Sequence, residues 1–547
     1  MTDTVILNGP LFCHLVKGGA ANLYLNRSEI NDLNVFPIPD GDTGDNMYMT
    51  IRSGSTATDG EGTLSEVASE MAHGMLLGAR GNSGVILSRI FSGISEGFEG
   101  RDVADADSMI RALRLGVEKA YGAVSVPVEG TILTVCREAT EAAVRAVGKG
   151  ATVMEGLKIA REEAARSLER TPELLAPLKE AGVVDSGGAG LLSIIDGMIN
   201  TLSGRAPEDI MSDPAAHANA PDFSLFTEDS VLEYGYCTEF LLRLQTCKVA
   251  DIGAFDMDAF TARVCELGDS VVAFRDGSVV KVHVHTKTPS EVLAFGQKYG
   301  EFLTVKIENM TLQHSGVEEK KTVRKAHKKY AVVTVAAGEG IRETFLSVGA
   351  DAVINGGQCM NPSAADFIAE FEKLDADTIF VFPGNSNIIL TAEQARDLYD
   401  KADVRVIPCR SICETYAALS VLDTSSGDTD AIVEDVTAAL SEVVSASVSR
   451  ANRDADMNGV RVRAGDYIGC CGGKIMTDDA DCEEAVMKLA DRLSVSDYGV
   501  MLLICGADTD AEKTRELYCR LEEKYRQTEI IMMDGGQPIY DYYIMLE

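Results

Sequence analysis

Residues 33–47, LNVFPIPDGDTGDNM, set three aspartates, Asp40, Asp42 and Asp45, beside two glycines, Gly41 and Gly44, directly after a run in which apolar residues alternate with prolines. So much charge on so tight a turn has two readings. As a solvated turn it needs no ligand, because Asp-Gly pairs tolerate the left-handed backbone and short acidic runs usually face water. As a hard-cation site, the glycine turn brings Asp40 and Asp42 to one side, where their oxygens share one or two magnesium ions. A calcium loop fits less well: position 12 counted from Asp40 is Ile51, where an EF-hand needs a bidentate glutamate.

The rest of the chain bounds the problem. At 547 residues and 46% hydrophobic it can bury several cores, and its length predicts three or four domains. No run of eighteen apolar residues occurs, and the start, MTDTVILNGP, lacks the basic opening and cleavage pattern of a signal peptide. A cytoplasmic protein is expected, and thirteen cysteines, several inside apolar stretches such as MLLICG, suit a reduced compartment. Fifty basic against 85 acidic side chains give a formal charge of −35, which repels nucleic acid and allows anionic membrane at most transient contact. A phosphate ligand stays possible, since bound magnesium reverses the local sign.

Three textures follow one another. Residues 1–205 read as nearly all helix, with amphipathic segments such as ATVMEGLKIAREEAARSLER, where Met154, Leu157, Ala160, Ala164 and Leu168 recur at helical spacing. Residues 206–230, rich in proline, alanine and aspartate, read as a linker. Residues 231–318 alternate strand, helix, strand, strand, helix, strand, the split βαβ order of a small ferredoxin-like α+β domain. Residues 328–547 alternate apolar strands with helices and predict an α/β region with a largely parallel sheet, long enough for two subdomains.

Two glycine-rich segments run straight into helical patterns. GARGNSGVILSRIF, residues 78–91, and DSGGAGLL, residues 185–192, each predict a helix start whose free N–H groups and dipole can receive phosphate oxygens, or a start merely capped by Asn82 or Ser83 in the first case. GCCGGKI, residues 469–475, is one residue short of a P-loop and carries isoleucine in place of the magnesium-binding Ser or Thr, so it reads as a turn. No G-x-G-x-x-G follows the C-terminal strands, and a dinucleotide site there has no support.

PDGDTGDNM, GARGNSG, VEGTIL (128–133) and DSGGAG occur in the order seen in the ATP-binding L-type (DhaL) subunit of dihydroxyacetone kinases. Together with LNVFPIPDGDTG, KEAGVVDSGGAGL, the middle domain and the ending DGGQPIYDYYIMLE, they make the whole chain resemble the catalytic subunits of bacterial fatty acid kinases. The resemblance implies an all-α DhaL-like helical barrel that binds ATP and Mg2+, followed by the middle domain and an α/β region of the EDD fold shared by DegV and FakB lipid-binding proteins. It implies that Asp40 and Asp42 hold magnesium, with Asn34 where dihydroxyacetone kinases carry a third aspartate. Thr43 and Asn46 would contact phosphate; Gly78, Asn82, Ser83 and Gly84 would form a phosphate cradle; Thr131, Asp185, Ser186 and Gly187 would line the nucleotide side. PGNSN, residues 383–387, would be a vestigial loop of the EDD fold. A homodimer is implied, as is a FakB-type fatty-acid-binding protein as the partner that delivers the fatty acid.

The middle domain offers a candidate site for a second metal. Cys237 falls on its first predicted strand, while His283 and His285, two apart on the third, share a face of what should be a neighbouring strand. One thiolate and two imidazoles suit Zn2+, and the resemblance lifts that reading above an ordinary polar sheet face. The sequence thus supports an acyl kinase working with a carrier, then a kinase of a small polyol such as dihydroxyacetone, then a non-catalytic scaffold held by zinc.

Overall fold

The computed structural model describes residues 6–34, 41–205, 236–309 and 327–547, apart from 125, 149, 247, 250–254, 266, 277, 358–360, 452–453 and 458 within those spans. Asp40 and the linker 206–230 therefore lie outside the described residues. The chain folds as two compact units: the helical N-terminal region and the C-terminal α/β region together make one, and the middle segment makes the other.

The N-terminal region is built from helices α1 (Gly9–Leu33), α2 (Thr43–Thr56), α3 (Leu64–Gly78), α4 (Gly81–Gly97), α5 (Ala106–Gly122), α6 (Ile132–Ala146), α7 (Val153–Leu174), α8 (Ala176–Ala181) and α9 (Ser186–Leu202). Local chemistry sets their starts. Thr63 with Glu66 and Thr152 with Glu155 form capping boxes on α3 and α7, while Asn8 accepts the Leu11 N–H at 2.9 Å on α1. On α7 the predicted stripe is the buried one, with Met154, Ala160, Ala164 and Leu168 inside and Leu157 packed against the same core. α1 and α9 approach closely through small residues: a Cβ on Gly197 would lie 2.7 Å from Gly19 Cα. The region is not wholly helical. Short strands β1 (Ile6–Asn8) and β2 (Val103–Asp105) pair antiparallel, a contact between segments too distant in sequence for local pattern to reveal.

The middle unit carries strands β3 (Tyr236–Leu244), β4 (Asp269–Asp276), β5 (Val279–Thr286) and β6 (Gly300–Asn309), with helices Met257–Cys265 and Pro289–Gly296 between them. Its sheet order is β4-β5-β3-β6, all antiparallel, over a core that includes Phe240, Phe260, Val282 and Val284.

The C-terminal region holds two larger sheets. The first, of β7 (Lys328–Ala336), β8 (Ala352–Asn355), β9 (Ala376–Phe382) and β10 (Asp403–Val406), runs β10-β9-β7-β8 and is parallel throughout. After β11 (Val444–Arg450), a separate hairpin pairs β12 (Ala455–Met457) with β13 (Val460–Val462). The second sheet joins β11 to β14 (Tyr467–Cys471), β15 (Lys474–Asp479), β16 (Val500–Gly506), β17 (Glu529–Gln537) and β18 (Tyr540–Leu546) in the order β15-β14-β11-β18-β16-β17. Only β16 and β17 run parallel there, which corrects the expectation of a largely parallel arrangement for this part. One of its antiparallel pairs is set locally in GCCGGKI: Gly472 and Gly473, at φ +57° and +75°, make the two-residue turn that returns β15 antiparallel to β14. No helix among the described residues is long and apolar enough to cross a membrane.

Candidate active site

Four helices of the N-terminal region begin at one cavity. α2 starts directly after Asp42, α4 after Arg80, α6 after Thr131 and α9 after Asp185. Each start brings N–H groups without intrahelical partners and the positive end of a helix dipole, although at α2 the Gly44 and Asp45 N–H groups donate to Asn31 Oδ1 at 2.7 and 3.3 Å. The cavity, of ≈ 1060 Å3, is lined on this side by Asn34, Asp42, Thr43, Asn46, Asn82, Ser83, Thr131, Asp185, Ser186 and Gly187.

The polar groups hold one another in place. The Asp42 carboxylate receives the Asn46 side chain and, at 2.6 Å, Nδ2 of Asn361; burial nevertheless pushes its pKa up to about 6. Asp185 caps α9 by accepting the Gly188 N–H at 2.7 Å, and burial raises it to about 6 against that bond and one from the Ile132 N–H. The Ser186 hydroxyl donates to that of Thr43 at 3.2 Å, the Thr131 hydroxyl donates to the Val128 carbonyl at 2.8 Å, and the Asn34 carbonyl accepts the Gly41 N–H at 3.1 Å. Asp45, the third aspartate of the turn, is engaged elsewhere, 2.7 Å from Asn31 Nδ2 and 3.6 Å from Arg27 Nε on α1.

Gly78 and Gly84 do not line the cavity. They let helices approach: a Cβ on Gly84 would stand 2.4 Å from Thr50 Oγ1, and one on Gly78 would overlap Ser53 of α2. Nor is α4 capped by Asn82 or Ser83. Its N-cap is Arg80, with no side-chain cap bond, and Gly81 at φ +56° turns the chain so that Asn82 and Ser83 fall in the first helical turn.

The opposite wall comes from the C-terminal region. It includes Val335, Gly356, Gly357 and the whole of PGNSN, at the carboxyl ends of β7, β8 and β9, together with Arg410, Cys470, Gln537 and Tyr540. β8 and β9 flank β7 on opposite sides, so this is the point at which the parallel sheet reverses its strand order, the usual place for a ligand crevice. PGNSN is thus part of the site's wall. Asn82 Nδ2 donates to Asn387 Oδ1 at 3.1 Å, and farther along α4 Ser88 Oγ meets Gln394 Oε1 at 3.3 Å and Arg89 meets Asp397 at 3.5 Å. Arg80 Nη1 donates to the Asn361 carbonyl at 2.7 Å and lies 3.4 Å from Asp366. The charged lining residues are Asp42, Asp185, Glu393 and Glu414 against Arg410 alone among the described residues.

Sequence reasoning missed Asn361, Asn385 and Asn387. For the last two a signal existed: a small polar loop directly after the apolar strand DTIFVF and opening a helix that Asn385 caps.

In the middle unit, β3 and β5 pair with Cys237 opposite His285 and Glu239 opposite His283, so Cys237, His283 and His285 occupy neighbouring register positions on adjacent strands. Their side chains lie outside the described residues, as does Asp40. Among the described residues, no three His, Cys, Asp or Glu side chains cluster to hold a metal.

Three family descriptions match in succession: the DAK2 domain over residues 37–200, the FakA-like middle domain of fatty acid kinases over 233–317, and the FakA-like C-terminal domain over 331–547. Protein YloV of Bacillus subtilis (strain 168) is 38% identical over 560 residues, covering 99% of each chain. An uncharacterized protein of Staphylococcus aureus (strain USA300) is 37% identical over 557 residues, again with 99% of each chain covered. Among solved structures, the dihydroxyacetone kinase of C. freundii in complex with AMP-PNP and Mg2+ matches 35% of this chain and 33% of that one, at 20% identity and a TM-score of 0.28. With all three domains in order and relatives matched end to end, the chain belongs to the FakA-like fatty acid kinase family.

Proposed function

We propose that this protein transfers the γ-phosphoryl group of ATP to the carboxylate of a fatty acid presented by a FakB-type fatty-acid-binding protein, giving an acyl phosphate for phospholipid synthesis. The observation that carries the reading is the convergence of four helix N-termini with Asp42 and Asp185 on one cavity, in a chain of this family. The donor set suits a metal-bound nucleotide better than a bare one, because four lining carboxylates against one arginine would repel a free triphosphate. Magnesium, held by Asp40 and Asp42 with Asn34 beside them, would supply the missing positive charge and offset the charge that builds on the phosphate oxygens.

The protein's own residues do the positioning. The α2 and α4 starts, with Thr43, Asn46, Asn82 and Ser83, hydrogen-bond the phosphates, while Thr131, Asp185, Ser186 and Gly187 bound the nucleotide from the α6 and α9 starts. A fatty acid carboxylate is already ionised at neutral pH. One of its oxygens bonds to the γ-phosphorus as the bond to the bridging oxygen breaks, ADP leaves with that electron pair, and no proton moves, so no general base is needed. We assign zinc to Cys237, His283 and His285 in the middle unit, read as ferredoxin-like, on the strength of their register. The reaction's ATP supply suits a cytoplasmic enzyme.

The DAK2 match favours a second reading, a dihydroxyacetone-type kinase of a small polyol, whose hydroxyl would have to lose a proton during attack. ATP turnover with Mg2+, with fatty acid supplied free and on its carrier and with dihydroxyacetone in parallel, separates the two. An acyl phosphate is trapped by hydroxylamine as a hydroxamate. A hydroxylamine-stable ester on dihydroxyacetone would establish the polyol kinase instead, and no turnover with any acceptor would favour a zinc-held scaffold.

A further inference from the structure

The contact between Asn361 and Asp42 joins residues 319 positions apart and crosses from the C-terminal region into the phosphate-facing end of the helical one. Asn361 is 2% exposed. Its position is determined from several sides: Arg80 Nη1 holds its carbonyl at 2.7 Å, Ala364 N–H donates to the Ala79 carbonyl at 3.3 Å just beyond it, and Gly81 leaves no room for a Cβ, which would stand 3.1 Å from Asn361 Nδ2. Its amide is only half used. Nδ2 donates to Asp42 Oδ2 at 2.6 Å, but Oδ1 is buried without a hydrogen-bond partner. A buried carbonyl oxygen left unpaired is costly, so an acceptor retained there calls for a donor supplied from elsewhere.

Magnesium keeps several of its waters when carboxylates bind it, and a carboxylate that binds a metal is usually oriented by a hydrogen bond to its other side. An asparagine amide can serve both needs at once. We propose, resting on the reading of Asp42 as a magnesium ligand, that Asn361 is a positioning residue of the metal site: its Nδ2 orients the Asp42 carboxylate and its Oδ1 accepts from a metal-bound water. The kinase site is then complete only with the C-terminal region docked, and docking and metal binding strengthen each other by the same factor.

The test is a Mg2+ titration of the binding of a non-hydrolysable ATP analogue to the full-length protein, by calorimetry. Asn361→Ala should raise the Mg2+ concentration for half-maximal binding about 10–100-fold, and excess Mg2+ should restore both binding and turnover. Asp397→Ala, which removes only a partly exposed docking contact remote from the carboxylate, should shift the Mg2+ dependence far less than Asn361→Ala does. If Asn361→Ala does not fold, Asn361→Ser carries the same measurement with the same expected direction. An unchanged Mg2+ dependence overturns the proposal, as does a loss that excess Mg2+ cannot restore, or tighter Mg2+ binding, which would make the contact a competitor of the metal. The underlying reading fails separately: Asp42→Ala with wild-type Mg2+ dependence would show that Asp42 is not a ligand at all.

Discussion

Replacing Gly81 by alanine tests whether the α4 start is built around the Asp42 carboxylate. Gly81 sits at φ +56°, where a non-glycine residue is disfavoured by about 1–2 kcal/mol. Its new Cβ would also fall 2.6 Å from Asn46 Nδ2. Asn46 is buried and cannot stay, and its side chain is one of the two amides that hydrogen-bond Asp42. A lost hydrogen bond to a charged group is worth about 1.5–3 kcal/mol. Fully expressed in the transition state, that is roughly a 10–150-fold fall in kcat/KM for Mg-ATP. Gly100→Ala separates the two effects, because Gly100 has φ +67° with no atom near its would-be Cβ. Both variants should lose stability in urea denaturation, Gly81→Ala more because its Cβ also displaces Asn46, and only Gly81→Ala should lose turnover in a coupled ADP-release assay. Equal turnover in the two variants would refute the argument.

Asp42→Ala should abolish phosphoryl transfer while circular dichroism keeps its helical signal, since the variant removes a carboxylate that burial already disfavours. Asp541, pushed up to about 6 by burial, contributes stability that is fully present below its unfolded value of 3.8 and is lost as pH rises through about 6. Asp541→Asn should therefore melt higher than wild type at pH 7.5, and the gap should close by pH 4; a gap independent of pH would contradict the burial argument. Cys237→Ser or His285→Ala should lower the zinc found by elemental analysis and loosen the middle unit. Zinc-free wild-type protein would return these residues to an ordinary sheet face.

What could be read in the sequence was whatever local pattern determines. The stripe from Met154 to Leu168 predicts its buried face because helical geometry alone puts those positions together, and Gly472-Gly473 predicts a turn because each glycine must take positive φ. The start of α9 was legible for the same reason, with small residues running straight into apolar helix. The start of α4 was legible too, but the alternative of a cap by Asn82 or Ser83 fails because Arg80, extended at φ −129°, takes the cap position without using its side chain, and residue type carries no trace of that. The direction of the strands in the second sheet depends on which strands become neighbours, and β11, β16 and β18 meet across some hundred residues. Asn361 was beyond reach on any local reading. Nothing around it predicts a partner in the turn that holds Asp42.

The way the two halves of the site meet bears on how the Asp42 carboxylate is held. The buried apolar side chains of the helical region form one cluster and those of the C-terminal region form others, with no residue shared between them. The named contacts across the seam are polar: Asn82 with Asn387, Ser88 with Gln394, Arg89 with Asp397, Arg80 with Asn361. Each such bond exchanges for one with water at a net cost of about 1 kcal/mol, and the partly exposed Arg89–Asp397 pair contributes less. The two regions nonetheless pack as one compact unit, joined through polar contacts rather than through a shared apolar core. With the C-terminal region docked, Asn361 reaches Asp42 from the opposite wall. A carboxylate held in place by a hydrogen bond from the opposite wall keeps its orientation only while that wall stays in place.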